Sequence, residues 1–276
     1  MCISDIYIVL MDDALAIDLA ADVHGAVSDV FINADGIKRS ISAPGAGNYV
    51  SFSKAVASAI AIVGESTVRK HSFIHAHGSS TPANRVTESR IFDRVAEAFS
   101  IKDWPITAAK AFVGHSLAAA SGDQLAFALG TFKYDILPGI KTVDKIADDV
   151  AQKRLFFPLQ DMDLVNRKMD VAFVNSKGFG GNNATAVVLS PRKVENMLSA
   201  RYGSVMADYQ SRREETRQAA KNYAEKADKG NIPVVYRFGE ALVQEQDIDI
   251  SCDGIHMPGH KQDVIFDKLN PWADMD

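Results

Sequence analysis

Cysteine is scarce: the 276 residues hold two, Cys2 and Cys252, far apart in the chain. That excludes a disulfide framework and fits a reducing, cytoplasmic setting. Unbroken apolar runs are also missing; none reaches the roughly 18 residues of a membrane span. The apolar stretch Ile6-Tyr7-Ile8-Val9-Leu10 has no basic lead and runs into Asp12-Asp13, so no signal peptide is expected there. A surplus of positive charge is absent too. Thirty Lys and Arg stand against 35 Asp and Glu, for a net charge of -5. Neither nucleic acid nor an anionic membrane is expected as a partner. What remains, 47% hydrophobic and 24% charged residues without repeats, is the composition of a globular protein.

Strand and helix signals alternate over residues 1–190. Residues 6–10 read as a buried strand, 13–22 as helix and 30–32 as strand. Gly36, Pro44, Gly45 and Gly47 mark a loop, and Phe52, Val56, Ile60 and Val63 set one face of a helix over 51–64. A strand at 72–75 precedes a helix over 85–99, whose face is Phe92, Val95, Ala96 and Phe99. A strand over 106–112 then leads to a long helix over 117–134 with Ser116 as its N-cap. Residues 169–176 and 184–190 read as paired strands around a glycine turn. This alternation predicts an α/β layered domain. After Pro191 the pattern turns helical to Gly230 (Val194, Leu198, Tyr202, Met206, Tyr209), and 231–276 reads as an extended tail.

Two histidines sit where strands run into small residues: His77 in His75-Ala76-His77-Gly78-Ser79-Ser80-Thr81-Pro82, and His115 in Lys110-Ala111-Phe112-Val113-Gly114-His115-Ser116. A neutral imidazole at a helix start is favoured by the positive end of the helix dipole, and its N–H suits a carbonyl oxygen gaining charge. Lys110 adds a fixed positive charge. Taken alone, His115 reads as a cap at a strand–helix junction, and Ser79, Ser80 and Thr81 as satisfying a loop backbone. Downstream, Gly178-Phe179-Gly180-Gly181 allows backbone N–H groups to point into a site, with Phe179 as a wall; a core phenylalanine in a hairpin turn fits equally. The turn lacks the lysine–hydroxyl pair of a phosphate loop. Metal ligation by His75-x-His77, or by Cys252, His256 and His260, falls short of a ligand set.

Together these three segments resemble the C-terminal half of a β-ketoacyl-[acyl-carrier-protein] synthase, a family of thiolase-like fold. The matching motifs are Ala76 through Pro82, Lys110 through His115, and Gly178 through Gly181 closed by Asn183, in the family's order. The resemblance covers residues 1–190 and implies one half of a layered αβαβα fold. It implies that His77 and His115 hydrogen-bond the malonyl thioester oxygen and stabilise the enolate left by decarboxylation. Lys110 would support that site, and Phe179 would gate it and offer its N–H to an oxyanion hole. Ser79 and Thr81, with the Gly180-Gly181 backbone, would bind the pantetheine-borne substrate, and Glu88 would be a buried structural acid. No cofactor beyond the carrier's phosphopantetheine is implied. The implied partners are acyl carrier protein, an N-terminal ketosynthase half, and a second copy in a homodimer.

The pattern also departs from the family. Arg85 stands where an aspartate is usual, Lys177 where an aromatic is, and Asn182 where a threonine is. Residues 191–276 run past the family's usual end, like the extension of some bacterial long-form synthases. The family's nucleophilic cysteine maps onto neither Cys2 nor Cys252, so the chain by itself is expected not to complete a condensation. Competing expectations are a ketosynthase-like partner without catalysis, or a metal hydrolase built on His75, His77 and His115.

Overall fold

The computed structural model describes residues 7–37, 45–79, 81–233, 235–236, 238–240, 242–270 and 273. The chain forms two compact units, Met1–Ala220 and Lys221–Asp276.

In the first unit, α1 (Asp13–Asp18) leads to β1 (Ala26–Ala34), α2 (Ala46–Val63), α3 (Glu65–Lys70) and β2 (Ser72–His75). Then come α4 (Pro82–Ala98), β3 (Trp104–Thr107), α5 (Lys110–Val113), a 3-10 turn (Leu117–Ala119) and α6 (Ala120–Tyr134). Short strands β4 (Ile136–Leu137), β5 (Leu155–Phe156) and β6 (Met162–Asp163) precede the long hairpin of β7 (Val171–Gly178) and β8 (Asn182–Leu189). Helix α7 (Pro191–Tyr202) follows, and then α8 (Met206–Asp228), whose residues from Lys221 on count with the second unit.

Six strands make one mixed sheet in the order β1-β8-β7-β2-β3-β5. β1, β8 and β7 pair antiparallel, whereas β7, β2, β3 and β5 run parallel. Strand alternation sorts the side chains onto two faces. Ile74, Val171, Phe173, Val187 and Leu189 meet α2 and α4 on one face. Phe73, Ala172, Val174 and Val188 meet α6 on the other. The first core centres on Phe52, whose ring centroid lies 4.7 Å from Phe92, 5.7 Å from Trp104 and 5.8 Å from Phe173. Trp104 Nε1 donates to Ser72 Oγ at 2.9 Å, so the one polar atom of the buried indole is satisfied.

By length and composition α2 alone among the described helices is apolar enough to cross a membrane. Asn48, Ser51, Lys54 and Ser58 interrupt it, and its Phe52, Ala55, Val56 and Ala59 are buried in the core.

Four expectations change. Residues 7–10 form no strand, and Tyr7, Val9 and Leu10 are exposed; an apolar run alone does not supply a pairing partner. The strand expected over 106–112 ends at Thr107, and Lys110 opens the one-turn α5 instead. Ser116 does not cap the following helix: its hydroxyl donates to Asp123 of α6, and a 3-10 turn intervenes. In the second unit the tail is not merely extended, because β9 (Asp249–Ile250), β10 (Gly254–His256) and β11 (Val264–Ile265) form a small antiparallel sheet.

Candidate active site

Parallel strands deliver their C-terminal ends to one edge, where open α/β sheets hold ligands. Here β2, β7 and β3 are in register through His75↔Val174 and His75↔Thr107. The chain just past each strand therefore meets at that edge: His77 after β2, Lys110 and His115 after β3, and the Lys177–Gly181 turn at the end of β7.

Glu88 of α4 organises the first of these segments. Its buried carboxylate accepts the backbone N–H of His77 at 2.7 Å and of Gly78 at 3.0 Å. It also accepts Asn84 Nδ2 at 3.0 Å and Asn175 Nδ2 at 2.8 Å. Gly78 adopts φ +55° with a hypothetical Cβ 2.8 Å from the Ala108 methyl, so a side chain is excluded both by strain and by space. Lys110 Nζ donates to the His77 carbonyl at 2.7 Å, which ties α5 to the histidine loop. Burial holds the Lys110 ammonium below the usual lysine range, opposed by Glu88 and Asp123.

The two imidazoles face each other, ring centroids 5.4 Å apart and planes at 81°. The backbone N–H of Lys177 donates to His77 Nδ1 at 3.2 Å, and that of Leu117 to His115 Nδ1 at 3.0 Å. A ring nitrogen that accepts carries no proton, so each neutral ring bears its hydrogen on Nε2. Leu117 takes φ +58°, an uncommon left-handed conformation for a leucine, in making this bond. Desolvation pushes the His77 pKa down to about 4, reinforced by Lys110, His115 and Lys177 against the opposing pull of Glu88. His115 is also lowered, first by burial and then by Lys110. A 3-10 turn separates His115 from the start of α6.

Gln124 of α6 is the functional neighbour that sequence reasoning missed. Its Nε2 reaches the carbonyls of Ala76 (2.8 Å), Asn175 (3.0 Å) and His75 (3.2 Å), while its Oε1 accepts Ser176 Oγ (3.1 Å). One buried amide therefore locks the ends of β2 and β7 together. Asn48, Asn175 and Asn183 extend the network beneath the glycine turn: Asn48 Nδ2 donates to Asn183 Oδ1 at 3.1 Å, and Asn183 Nδ2 to Gly181 O at 2.9 Å. Nothing in a lone amide on a helix announces such a role.

The remaining candidates scatter. Phe179 leads the turn and is 86% exposed, and Gly180 and Gly181 take φ +82° and +86°, a backbone that favours glycine. Ser79 and Thr81 lie 3.4 Å apart through their hydroxyls at the start of α4; Ser80 is outside the described residues. His75 does not join the pair. It is fully buried against Phe73 and Phe127, with neither ring nitrogen hydrogen-bonded. Among the described residues no group of His, Cys, Asp and Glu side chains is arranged to hold a metal. Arg85 spans to Asp149 in a bidentate ion pair, both bonds 2.9 Å.

Residues 24–144 match the family model described as "Beta-ketoacyl synthase, C-terminal domain". This stretch is similar to a ketosynthase C-terminal domain. Over 270 residues, 98% of its length, it is 59% identical to the beta-ketoacyl-[acyl-carrier-protein] synthase FabY of Pseudomonas aeruginosa. It spans 42% of that relative's length. The 3-oxoacyl-[acyl-carrier-protein] synthase 1 of Escherichia coli is 29% identical over 116 residues, covering 42% of this chain and 27% of that one. A crystal structure of the P. aeruginosa ketosynthase superposes with a TM-score of 0.86, covering 96% of this chain and 42% of that one. A Streptomyces albus ketosynthase domain, 17% identical with a TM-score of 0.57 over 64% of this chain and 32% of its own, shares the fold. The first unit is thus mixed α/β, and the chain shares the thiolase-like fold of these ketosynthases.

Proposed function

We propose that this ketosynthase chain provides the malonyl-binding side of a 3-oxoacyl-[acyl-carrier-protein] synthase in fatty-acid or polyketide synthesis. The observation that carries the reading is the pair of neutral imidazoles, both with Nδ1 occupied by a backbone N–H and both free to donate from Nε2. Two such donors suit one thioester oxygen. When the malonyl carboxylate leaves as carbon dioxide, the C–C bonding pair moves onto the thioester and its oxygen takes the negative charge. Preorganised N–H donors stabilise that charge better than freely reorienting water does; of the two rings, His77 is buried and His115 exposed. A neutral imidazole also avoids stabilising the departing carboxylate by charge pairing, which would favour the ground state.

In this reading Lys110 and Glu88 are positioning residues: they hold the His77 backbone and never meet substrate. Phe179, with Gly180 and Gly181, forms the wall and backbone donors on the acyl side. Ser79 and Thr81 meet the pantetheine arm of an acyl carrier protein, so no separate cofactor is required. The carbanion then attacks an acyl thioester, which in this family is carried on a cysteine. The one described cysteine, Cys252, belongs to the second unit and is exposed beside Asp253. Condensation therefore requires an N-terminal ketosynthase half, and the assembled enzyme would be a cytoplasmic homodimer. The test is incubation of the purified chain with malonyl-carrier protein and an acyl donor. Release of carbon dioxide without a 3-oxoacyl product is expected. Extension of the acyl group by the chain alone, or no decarboxylation even with the N-terminal half supplied, would overturn the proposal.

A further inference from the structure

A cavity of about 310 Å³ is lined by the histidine loop, α4, the chain following β3 and residues 140–150. Ala76 and Gly78 line it, whereas His77 between them turns away to meet Lys177 and His115. The cavity is therefore distinct from the space in front of the imidazoles. Its walls are chiefly apolar, with Phe92, Ile106, Ile140, Val143, Ile146 and Phe157 among the lining residues. A largely apolar chamber of this size, with a few polar groups in its lining, suits a small amphipathic ligand.

The charges on the wall identify the head group. Glu88 is the one carboxylate among the lining residues, and it is engaged; Asp144, Asp148 and Asp149 belong to the adjoining segment but do not line the cavity. Glu88 accepts four donors from the histidine loop, α4 and β7. Asp149 is held in its fork by Arg85 at the rim. Lys145 also lines the cavity and has no ion-pair partner among the described residues. One cation without a partner beside an apolar chamber complements a single negative charge on a hydrocarbon tail. We infer that this cavity is a binding site for a free aliphatic carboxylate of medium chain length, with its chain among Phe92, Ile106 and Ile146 and its carboxylate on Lys145. The site is separate from the malonyl-binding reading above and does not depend on it.

The probe is decanoate, kept below its micellar concentration and titrated into the full chain. Isothermal calorimetry and methyl NMR of Ile106, Ile140 and Ile146 are the readouts. Saturable binding that moves these three methyls is expected. Lys145→Glu, a change on an exposed loop, is expected to weaken it by about tenfold, as losing one charge-assisted contact does. Decyltrimethylammonium, with the same tail and opposite charge, is expected to bind at least that much more weakly. Ala147→Trp, which fills the chamber, is expected to abolish binding; should it fail to fold, the other two comparisons still decide. The inference is overturned if the three methyls do not move up to the solubility limit, or if decanoate binds Lys145→Glu as well as it binds the natural chain.

Discussion

The His77 and His115 rings stand edge to face at 5.4 Å, each pinned at Nδ1 by a backbone N–H from a different segment. The pair is thus assembled by the fold, since Lys177 lies 100 residues beyond His77. His77→Ala and His115→Ala are each expected to lower malonyl decarboxylation by about 100-fold or more, the usual cost of losing one oxyanion donor. His115→Gln, which keeps an N–H close to the Nε2 position, should retain more activity than His115→Ala. Rates on malonyl-carrier protein with the N-terminal half supplied give the comparison.

The pH dependence of that rate should be flat where an ordinary histidine titrates. The His77 pKa is lowered from 6.5 to about 4, first by burial. On acidification the ring stays neutral through 6.5 and gains its second proton only near 4. That proton goes to Nδ1, where it opposes the Lys177 N–H and breaks the bond that orients the ring. A pH–rate profile with its acidic limb near 4 is expected; a limb near 6.5 would show that the ring is more exposed than the fold indicates.

His75 carries a different consequence. It is fully buried with neither nitrogen hydrogen-bonded, and burial drives its pKa from 6.5 to about 3. The unfolded chain binds a proton at this ring below 6.5 while the native chain does not. Stability therefore falls as pH drops from 6.5 toward 3, by several kcal/mol in order of magnitude. His75→Leu removes that proton uptake and an unsatisfied polar ring together. Urea titrations of both proteins should show the variant equal or better near neutrality and clearly more stable in acid.

Glu88 and Gln124 are the polar keystones. Glu88→Ala strands two backbone N–H groups and two amide donors in the interior. A loss of about 3–5 kcal/mol is expected, in line with removing one partner of a buried charged network. Gln124→Leu deprives three carbonyls and the Ser176 hydroxyl of their partner and should cost about 2–4 kcal/mol. Denaturant midpoints measure both.

Local signals made part of this legible. A strand end followed by Gly78 marked His77, Gly114 marked His115 although it closes the short α5 rather than a strand, and apolar periodicity marked α2 and α4, because burial on one face leaves a periodic trace. The turn between β7 and β8 was visible from its glycines. What stayed hidden depends on contacts distant in sequence. Gln124 sits unremarkably on α6, yet it bonds carbonyls 48 and 51 residues away. The run Ala108-Ala109-Lys110-Ala111-Phe112 follows an apolar strand and reads as its continuation, but its alanines and lysine favour helix, and one helical turn aims Lys110 at the His77 carbonyl. The two- and three-residue strands of the second unit are too short to show any period.

The central claim, two neutral rings offering Nε2–H donors to one oxygen, is tested most directly by long-range nitrogen–proton NMR of the histidine rings near neutral pH. His77 and His115 are expected in the Nε2–H form, and both should shift when a non-cleavable malonyl thioester analogue is added. A protonated ring or an Nδ1–H form at either position, or rings that ignore the analogue with the N-terminal half present, would contradict it.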